Sequence, residues 1–184
     1  MQHNGIDPSR EDDTIVAAAK SKPEAFAPLY EKYNVPIYRW FYRETGSAES
    51  AADLTAQVFV QALQNLKRYQ PQQSSSFRSW LYTIARNILR DSWRRYRPMS
   101  EPPDFVDGSP GPEEIAMHRS EMEEFRAALG ALPERQREIV ELRVNGLSMR
   151  EIAEIQGSSE NAVKTAQTRA FKTLRARMTK GVAT

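Results

Sequence analysis

The sequence predicts an all-α protein made of two small helical domains joined by a flexible, acidic, proline-rich linker. Apolar residues recur at spacings of three and four on both sides of the linker, as in amphipathic helices, and no stretch alternates as a strand would. Five prolines lie between positions 98 and 112. Because proline lacks an amide donor and fixes φ, we expect no helix to run through the linker, residues 98–117.

Three helices are predicted in the N-terminal domain, residues 14–97, and residues 1–13 are expected to form a disordered polar tail. Pro36 interrupts the first helical pattern, so we expect a kink or break near Asn34. Gly46 and Ser47 should end this helix and cap the second. The apolar positions of the first two helices are Phe26, Leu29, Tyr30, Tyr33, Ile37, Trp40, Phe41, Leu54, Val58, Leu63 and Leu66.

The third predicted helix carries two patterns of side chains. Apolar residues from Phe77 to Trp93 form a stripe that we expect to pack in the core. A second series follows at steps of four, which predicts an exposed ridge of four guanidiniums and one aromatic ring. No glutamate pairs with the ridge, which favours contact with phosphate over a merely solvated surface. The ridge consists of Arg78, Tyr82, Arg86, Arg90 and Arg94.

Charge is segregated along the chain, although the net charge is only +2. Residues 66–97 carry eight positive side chains against Asp91 alone, a net charge of +7. Residues 99–124 have a net charge of −7, and residues 159–184 have a net charge of +5. Clustered positive charge attracts phosphate and releases counterions on binding. Charge alone leaves nucleic-acid binding and a solvated surface equally open.

The C-terminal domain, residues 118–178, is predicted to contain a helix-turn-helix. Ser148 and Glu151 have the spacing of a capping box at the start of a short helix, and Gly157 makes a tight turn before a final basic helix capped by Ser159. The first turns of that helix offer side chains suited to reading bases in the major groove. An ordinary helical hairpin is the alternative. The candidate reading residues are Glu160, Asn161, Lys164, Thr165 and Thr168.

Several kinds of chemistry have no support in the sequence. The chain has no cysteine, which excludes disulfides and thiolate metal sites. It has no apolar run near the ~20 residues of a membrane helix and no signal-peptide pattern, so we expect a cytoplasmic protein without membrane insertion. Dinucleotide-binding, P-loop and nucleophile-elbow motifs are absent, and His3 and His118 have no partners. We expect no catalytic residue, metal or cofactor.

Three segments resemble conserved regions of bacterial sigma factors of the sigma-70 family. Residues 132–178 resemble the fourth region, residues 51–63 resemble the core-polymerase-binding helix of the second region, and residues 77–95 resemble the helix that holds the melted promoter. With no domain between these regions, the chain resembles the extracytoplasmic-function (ECF, group IV) type. The resemblance implies a non-enzymatic subunit that binds core RNA polymerase at the beta-prime clamp and beta flap. It also implies promoter DNA and an anti-sigma factor as partners.

The resemblance further implies roles for individual residues. The polymerase clamp would be faced by Asp53, Leu54, Gln57, Phe59 and Gln61. The minus-10 element, with a flipped base, would be bound by Tyr69, Gln72, Gln73, Ser74, Ser75, Ser76, Arg78, Arg86, Asn87, Arg90, Arg94 and Arg95. The minus-35 element would be bound by Ser159, Glu160, Asn161, Lys164, Thr165, Thr168, Arg169 and Lys172. The linker would thread toward the polymerase active centre. A short tail, residues 179–184, follows the second domain.

Several positions depart from the family pattern. Ala166, Gln167 and Phe171 stand where an arginine, a leucine and a basic residue are common. Ser158 stands where an apolar residue is usual, and Ala56 and Gln57 replace a common Gln-Glu or Gln-Asp pair. The departures at Ala166 and Gln167 leave open a sigma-like decoy that sequesters an anti-sigma factor without activating promoters. A stand-alone helix-turn-helix regulator is the other alternative, although it leaves the arginine-rich third helix unexplained.

Overall fold

The computed structural model describes residues 8–71, 76–95 and 127–181, which divide between two compact units. Within those residues every regular element is helical, so the all-α prediction is confirmed; the expected linker lies outside them. The N-terminal unit contains α1 (Pro8–Ala19), a 3-10 turn (Pro23–Phe26), α2 (Ala27–Thr45), α3 (Ala48–Asn65), a second 3-10 turn (Leu66–Arg68) and α4 (Phe77–Arg95). The C-terminal unit contains a helical segment at 127–130, α5 (Glu134–Val144), α6 (Met149–Gln156) and α7 (Glu160–Gly181).

The core of the N-terminal unit is rich in aromatic rings contributed by α2, α3 and α4. Trp40 of α2 stacks on Tyr82 of α4, with ring centroids 5.5 Å apart. Phe26 meets Phe59 and Phe77 edge-on, at centroid distances of 6.4 and 6.2 Å. Each such pair contributes about 0.5–1.5 kcal/mol beyond the burial of its area. The rings therefore hold three helices together through specific geometry as well as through burial.

Helix α2 runs through Pro36 without interruption, so the break, one of the two expected outcomes, does not occur. Pro36 has no amide to donate to the Lys32 carbonyl, and one bond of the helical ladder is lost. The helix continues because Tyr33 and Ile37, on either side of the proline, are both buried against the core. Tertiary packing thus compensates for the hydrogen bond that the helix loses at Pro36.

The turn between α2 and α3 follows the prediction. Gly46 has a φ of +71°, a region that glycine enters without strain, and its amide donates to the Tyr42 carbonyl at 3.0 Å. The Ser47 Oγ accepts a hydrogen bond from the Ser50 amide at 3.2 Å and caps α3. Both residues form these hydrogen bonds with residues at most four positions away, so the local sequence was sufficient to predict the turn.

Helix α1 corrects the expectation that residues 1–13 form a disordered tail. Residues 8–13 are its first turns, and the rest of the expected tail lies outside the described residues. Asp12 is 2% exposed, and its carboxylate accepts hydrogen bonds from the Tyr33 hydroxyl and from the Lys32 ammonium, the latter at 2.6 Å. Because both partners belong to α2, no local pattern reveals them. The first helix is therefore secured by polar contacts as well as by apolar burial.

Replacing Asp12 with alanine should destabilise the N-terminal unit by about 1–3 kcal/mol, because the buried Tyr33 hydroxyl loses its acceptor. All three tryptophans of the chain lie in this unit, so urea unfolding followed by tryptophan fluorescence reports its stability. The matched control is Glu11→Ala, at an exposed neighbouring position, which should stay within about 0.5 kcal/mol of wild type. Equal unfolding midpoints for both variants would contradict this role of Asp12.

Candidate nucleic-acid interface

Helix α4 does not present the ridge predicted from the sequence. Tyr82 is 1% exposed and stacks on a tryptophan of α2 inside the core. The reason is geometric: a step of four residues advances about 40° beyond a full helical turn, so the series winds from the core side to the solvent side. Arg78 and Arg86 are accordingly half-buried, whereas Arg90 and Arg94 are exposed.

An exposed stripe on α4 follows alternating steps of three and four instead. It begins at the half-buried Trp80 and Thr83 and continues through the exposed Asn87, Arg90 and Arg94. Alternating steps keep these side chains on one side of the helix. We call this set the α4 stripe. It combines an aromatic ring, an amide and two guanidiniums, the groups with which proteins stack on bases and hold phosphates in single-stranded nucleic acid.

Tyr69 is buried, at 4% exposure, which does not fit a surface for stacking on a base. Its ring lies against Phe77 and Trp80, with centroid distances of 5.7 and 5.0 Å. Its hydroxyl donates to the Asp13 carboxylate at 3.0 Å, and its carbonyl accepts from the Lys20 ammonium at 2.5 Å. In this structure Tyr69 therefore anchors the chain after α3 to α1. The partially exposed aromatic ring next to it is Trp80, which the sequence reading had assigned to the core.

The other residues predicted to form the loop before α4 are only partly described. Ser76 adjoins the start of α4, where its carbonyl accepts from the Trp80 amide and its Oγ accepts from the Ser79 amide, both at 3.1 Å. This serine therefore caps the helix that carries the stripe. The predicted site residues outside the described part are Gln72, Gln73, Ser74 and Ser75, together with the side chain of Arg95.

The residues predicted to face the polymerase divide into two groups on α3. Asp53, Gln57 and Gln61 are exposed. Leu54 and Phe59 are only 7% and 5% exposed and pack in the core of the N-terminal unit. Their side chains therefore offer little surface to another protein and help to hold α3 in the unit.

Two apolar residues of α3 are exposed that the sequence analysis did not assign to an interface. Val60 is 54% exposed, and Leu63, one of the apolar positions that predicted this helix, is 43% exposed. The small neighbour Ala62 takes the inward position at 0% exposure. Val60 follows Asp53 and Gln57 at helical spacing and shares their exposed side. Exposed apolar residues bordered by amides are typical of a protein-binding surface.

Helices α6 and α7 form a helix-turn-helix whose ends are fixed by local hydrogen bonds. The Ser148 Oγ accepts from the Glu151 amide at 3.2 Å, and the Ser148 amide donates to the Glu151 carboxylate at 2.8 Å, which confirms the capping box. Gly157 ends α6 with a φ of +60°. The Ser159 Oγ then accepts from the amide three residues later at 3.2 Å and caps α7, as predicted.

The exposed side of α7 contains all the residues predicted to contact the minus-35 element. Its packed side is formed by Val163, Ala170 and Leu174, which are at most 5% exposed. Ala166 and Gln167 are half-buried at the margins of the packed side. The exposed residues predicted for DNA contact are Ser159, Glu160, Asn161, Lys164, Thr165, Thr168, Arg169 and Lys172.

Gln156, at the end of α6, has a positioning role that the sequence did not indicate. Its side chain is 9% exposed, and its Nε2 donates to the Arg135 carbonyl at 3.1 Å and to the Glu138 carboxylate at 2.7 Å. These bonds tie the end of α6 to α5 just before the turn that leads into α7. A glutamine between apolar and turn residues carries no pattern that would predict such contacts.

Metal coordination has no support in the described ranges, where no three His, Asp or Glu side chains come together to hold an ion. Likewise, none of the described helices is long and apolar enough to cross a membrane.

Two family models match the regions just described. Sigma-70 region 2 matches residues 29–98, and Sigma-70 region 4 matches residues 122–174. The ECF RNA polymerase sigma factor BldN of Streptomyces coelicolor is 32% identical over 174 residues, which cover 91% of this chain and 66% of BldN. This chain belongs to the ECF sigma factors of the sigma-70 family. It spans just under two thirds of the length of BldN.

Two further proteins resemble this ECF sigma factor over most of their own length. The RNA polymerase sigma factor YlaC of Bacillus subtilis is 32% identical over 164 residues, which cover 85% of this chain and 94% of YlaC. The structure of CnrH, solved in complex with the cytosolic domain of CnrY, matches with a TM-score of 0.71 and 25% identity. That match covers 91% of this sigma factor and 96% of CnrH.

Truncation to alanine should affect stability very differently at two positions of the predicted ridge, Tyr82 and Arg90. Tyr82→Ala should destabilise the N-terminal unit by about 3–5 kcal/mol, because it removes a buried ring from the core. Arg90→Ala should change stability by less than about 0.5 kcal/mol, because its side chain lies in solvent. Urea unfolding monitored by tryptophan fluorescence measures both. A tyrosine variant as stable as the arginine variant would show that α4 is rotated relative to this structure.

Proposed function

We propose that this ECF sigma factor attaches to core RNA polymerase through the exposed side of α3, holds the melted minus-10 element with α4, and reads the minus-35 element with α7. Nucleotide addition belongs to the polymerase, and this chain supplies binding energy and strand separation in the cytoplasm. The α4 stripe is the observation that carries the proposal. A stand-alone regulator that reads duplex DNA with α7 has no use for it.

The α4 stripe has the chemistry required to compete with base pairing. Arg90 and Arg94 offer planar donors to the phosphates of a separated strand, and Asn87 offers both a donor and an acceptor to a base edge. Single-stranded binding combines such contacts with stacking on aromatic rings. Arg78 and Arg86, which are half-buried, border the stripe and add to the positive potential on this helix.

The exposed side of α7 has the chemistry required to read a duplex. Glu160 can accept from cytosine, Asn161 can pair with adenine, and Lys164 can reach guanine or a phosphate. Arg169 and Lys172 lie farther along the helix and suit phosphate contact. Because the polymerase holds the sigma factor beside the promoter, a single helix-turn-helix suffices where a free regulator uses a dimer.

The proposed partners are core RNA polymerase, through its beta-prime clamp and beta flap, and an anti-sigma factor. Exposed amide and apolar side chains on α3, including Gln57, Val60 and Leu63, support the clamp contact. CnrH, the relative solved with the cytosolic domain of another protein, supports a regulatory protein partner. The decoy alternative rested on Ala166 and Gln167. Both are half-buried, so these departures alter the reading surface less than their sequence positions implied.

The deciding experiment is run-off transcription from a randomised promoter pool, using core RNA polymerase from the same bacterium with and without the protein. Enrichment of a two-part motif only in the presence of the protein is the expected result. Core binding without any enrichment would favour the decoy, and a symmetric footprint by the isolated protein would favour the stand-alone regulator.

Replacing Arg90 and Arg94 with alanine should impair promoter opening more than core binding. Each lost contact with a single-strand phosphate should also reduce the salt dependence, lowering the slope of log K against log salt by about 0.7. Open complexes are measured by permanganate reactivity, and core affinity by fluorescence anisotropy. The control Lys22→Ala/Arg39→Ala removes the same charge from other exposed positions of the unit. Equal losses of core affinity and opening would show that the stripe faces the polymerase.

Replacing Asn161 and Lys164 with alanine should change the choice of the upstream sequence. The expected cost is about 1–3 kcal/mol for each lost base contact, confined to particular positions of the minus-35 element. Selection from a pool randomised only in that element measures it. Arg177→Ala is the control, because this residue is exposed on α7 but lies near its end. A uniform loss of affinity across all sequences would mean that both residues contact the backbone.

A further inference from the structure

Two charged residues at α1 reach one residue far along the chain. The carboxylate of Asp13 accepts from the Tyr69 hydroxyl at 3.0 Å, and the ammonium of Lys20 donates to the Tyr69 carbonyl at 2.5 Å. The Lys20 amide still donates to the Val16 carbonyl at 3.0 Å, so Lys20 continues the helical path of α1. It follows Asp13 by seven residues, close to two helical turns, so both side chains leave the same side. We call this pair the α1 bracket.

The attachment of α1 to the other helices has contacts of its own. Asp12 joins α1 to α2 through Lys32 and Tyr33, and Val16 is buried at 1% exposure. The α1 bracket points elsewhere, to Tyr69 in the chain after α3. It therefore adds a link between α1 and a part of the chain that lies outside the helices.

Tyr69 stands where a helical segment has just ended. It follows the second 3-10 turn with φ −62° and ψ 129°, an extended conformation. Its amide still donates to the carbonyls of Asn65 and Leu66, both at 3.2 Å, but its extended backbone takes the chain out of the helical ladder. The α1 bracket holds the residue at both ends, at the phenol hydroxyl and at the backbone carbonyl. These two contacts therefore fix a residue that helical hydrogen bonds hold only at its amide.

The Tyr69 ring supports the aromatic member of the α4 stripe. Trp80 has two aromatic neighbours behind it, Tyr69 at a centroid distance of 5.0 Å and Phe77 at 5.5 Å. Phe77 is fully buried at the start of α4, so the core fixes its place. Tyr69 is the neighbour that lies outside a helix. The direction of the Trp80 ring therefore depends on the contacts that hold Tyr69.

We propose that Asp13 and Lys20 are positioning residues for strand opening, which hold the Trp80 ring where it stacks on an unpaired base. Such a ring binds best when packing locks its orientation beforehand. Neither residue of the α1 bracket touches DNA in this role, which rests on the proposed function of α4. Both residues precede the segment 29–98 that matches Sigma-70 region 2, so the family likeness does not assign the role to them.

Nuclear magnetic resonance tests whether the α1 bracket positions Trp80. The full chain labelled with 15N-tryptophan gives one indole N–H signal for each of its three tryptophans, and Trp80→Phe identifies the relevant one. Asp13→Ala and Lys20→Met should each move the Trp80 signal. The signal of the buried Trp40 should stay in place, which also shows that the unit is folded. The same charges are removed from exposed neighbours in the matched controls Glu11→Ala and Lys22→Met, which should move neither signal. An unmoved Trp80 signal in both bracket variants overturns the inference.

Promoter opening tests the functional consequence. The holoenzyme is assembled with each variant on a promoter that wild type enriches from the randomised pool, and opening is followed by permanganate reactivity. Asp13→Ala and Lys20→Met should each lower the equilibrium constant for opening at least about fivefold, as loss of a hydrogen bond to a charged group does. Core affinity should stay within about twofold. Lys20→Arg keeps a donor and should restore opening. In a Trp80→Ala chain, Asp13→Ala should change opening by less than about twofold, because it acts through that ring.

The outcomes that overturn the inference are distinct from failure of the proposed function. Equal losses of core affinity and opening, or equal losses in the control variants, would show that the α1 bracket serves only the stability of the unit. Additive losses from Asp13→Ala and Trp80→Ala would show that it does not act through Trp80. If wild type opens no promoter, the proposed function fails. The indole signals then still decide the positioning: a moved Trp80 signal supports it, and an unmoved one overturns it.

Discussion

Phe77 is the point at which the elements of the N-terminal unit meet. It is fully buried, and its ring lies within 6.2 Å, centroid to centroid, of Phe26, Tyr33, Tyr69 and Trp80. These rings come from a 3-10 turn, from α2, from the chain after α3 and from α4 itself. Because Phe77 is also the first residue of α4, the cluster fixes where that helix starts. The surface that α4 exposes is therefore decided inside the core.

The C-terminal unit is organised by backbone hydrogen bonds at two glycines. Gly146 and Gly157 both have positive φ, and after each one an amide reaches back five residues to a helical carbonyl. The Leu147 amide donates to α5 at 3.1 Å, and the Ser158 amide donates to α6 at 2.9 Å. Helix α6 is therefore held between two turns closed by backbone hydrogen bonds, with the Ser148 side chain capping its start. The exposed side of α7 can vary in sequence without loosening the scaffold that aims it.

The features that the sequence predicted correctly are those whose partners are close in sequence. The Ser148 capping box and the Gly46 stop are complete within four residues, and the helical periods are local as well. Helix α1 and the burial of Tyr69 were missed, because Asp13 and Lys20 reach Tyr69 across 56 and 49 residues. Their donors and acceptors have no periodicity. Helical spacing therefore predicts which candidate site residues are exposed on α7, but it does not predict the burial of a polar or aromatic residue whose partners are distant in sequence.

Helix α4 illustrates how one helix serves the core and the interface at the same time. The stacking of Tyr82 on Trp40 sets the rotation of α4 about its own axis, and that rotation carries Arg90 and Arg94 outward. A rotation by one residue, about 100°, would turn the aromatic ring toward solvent and bring other side chains into the core. The cost of exposing that ring opposes such a change. The direction of the two arginines is thus maintained by apolar burial, and a mutation in the core can alter the surface proposed to hold DNA without replacing any residue of that surface.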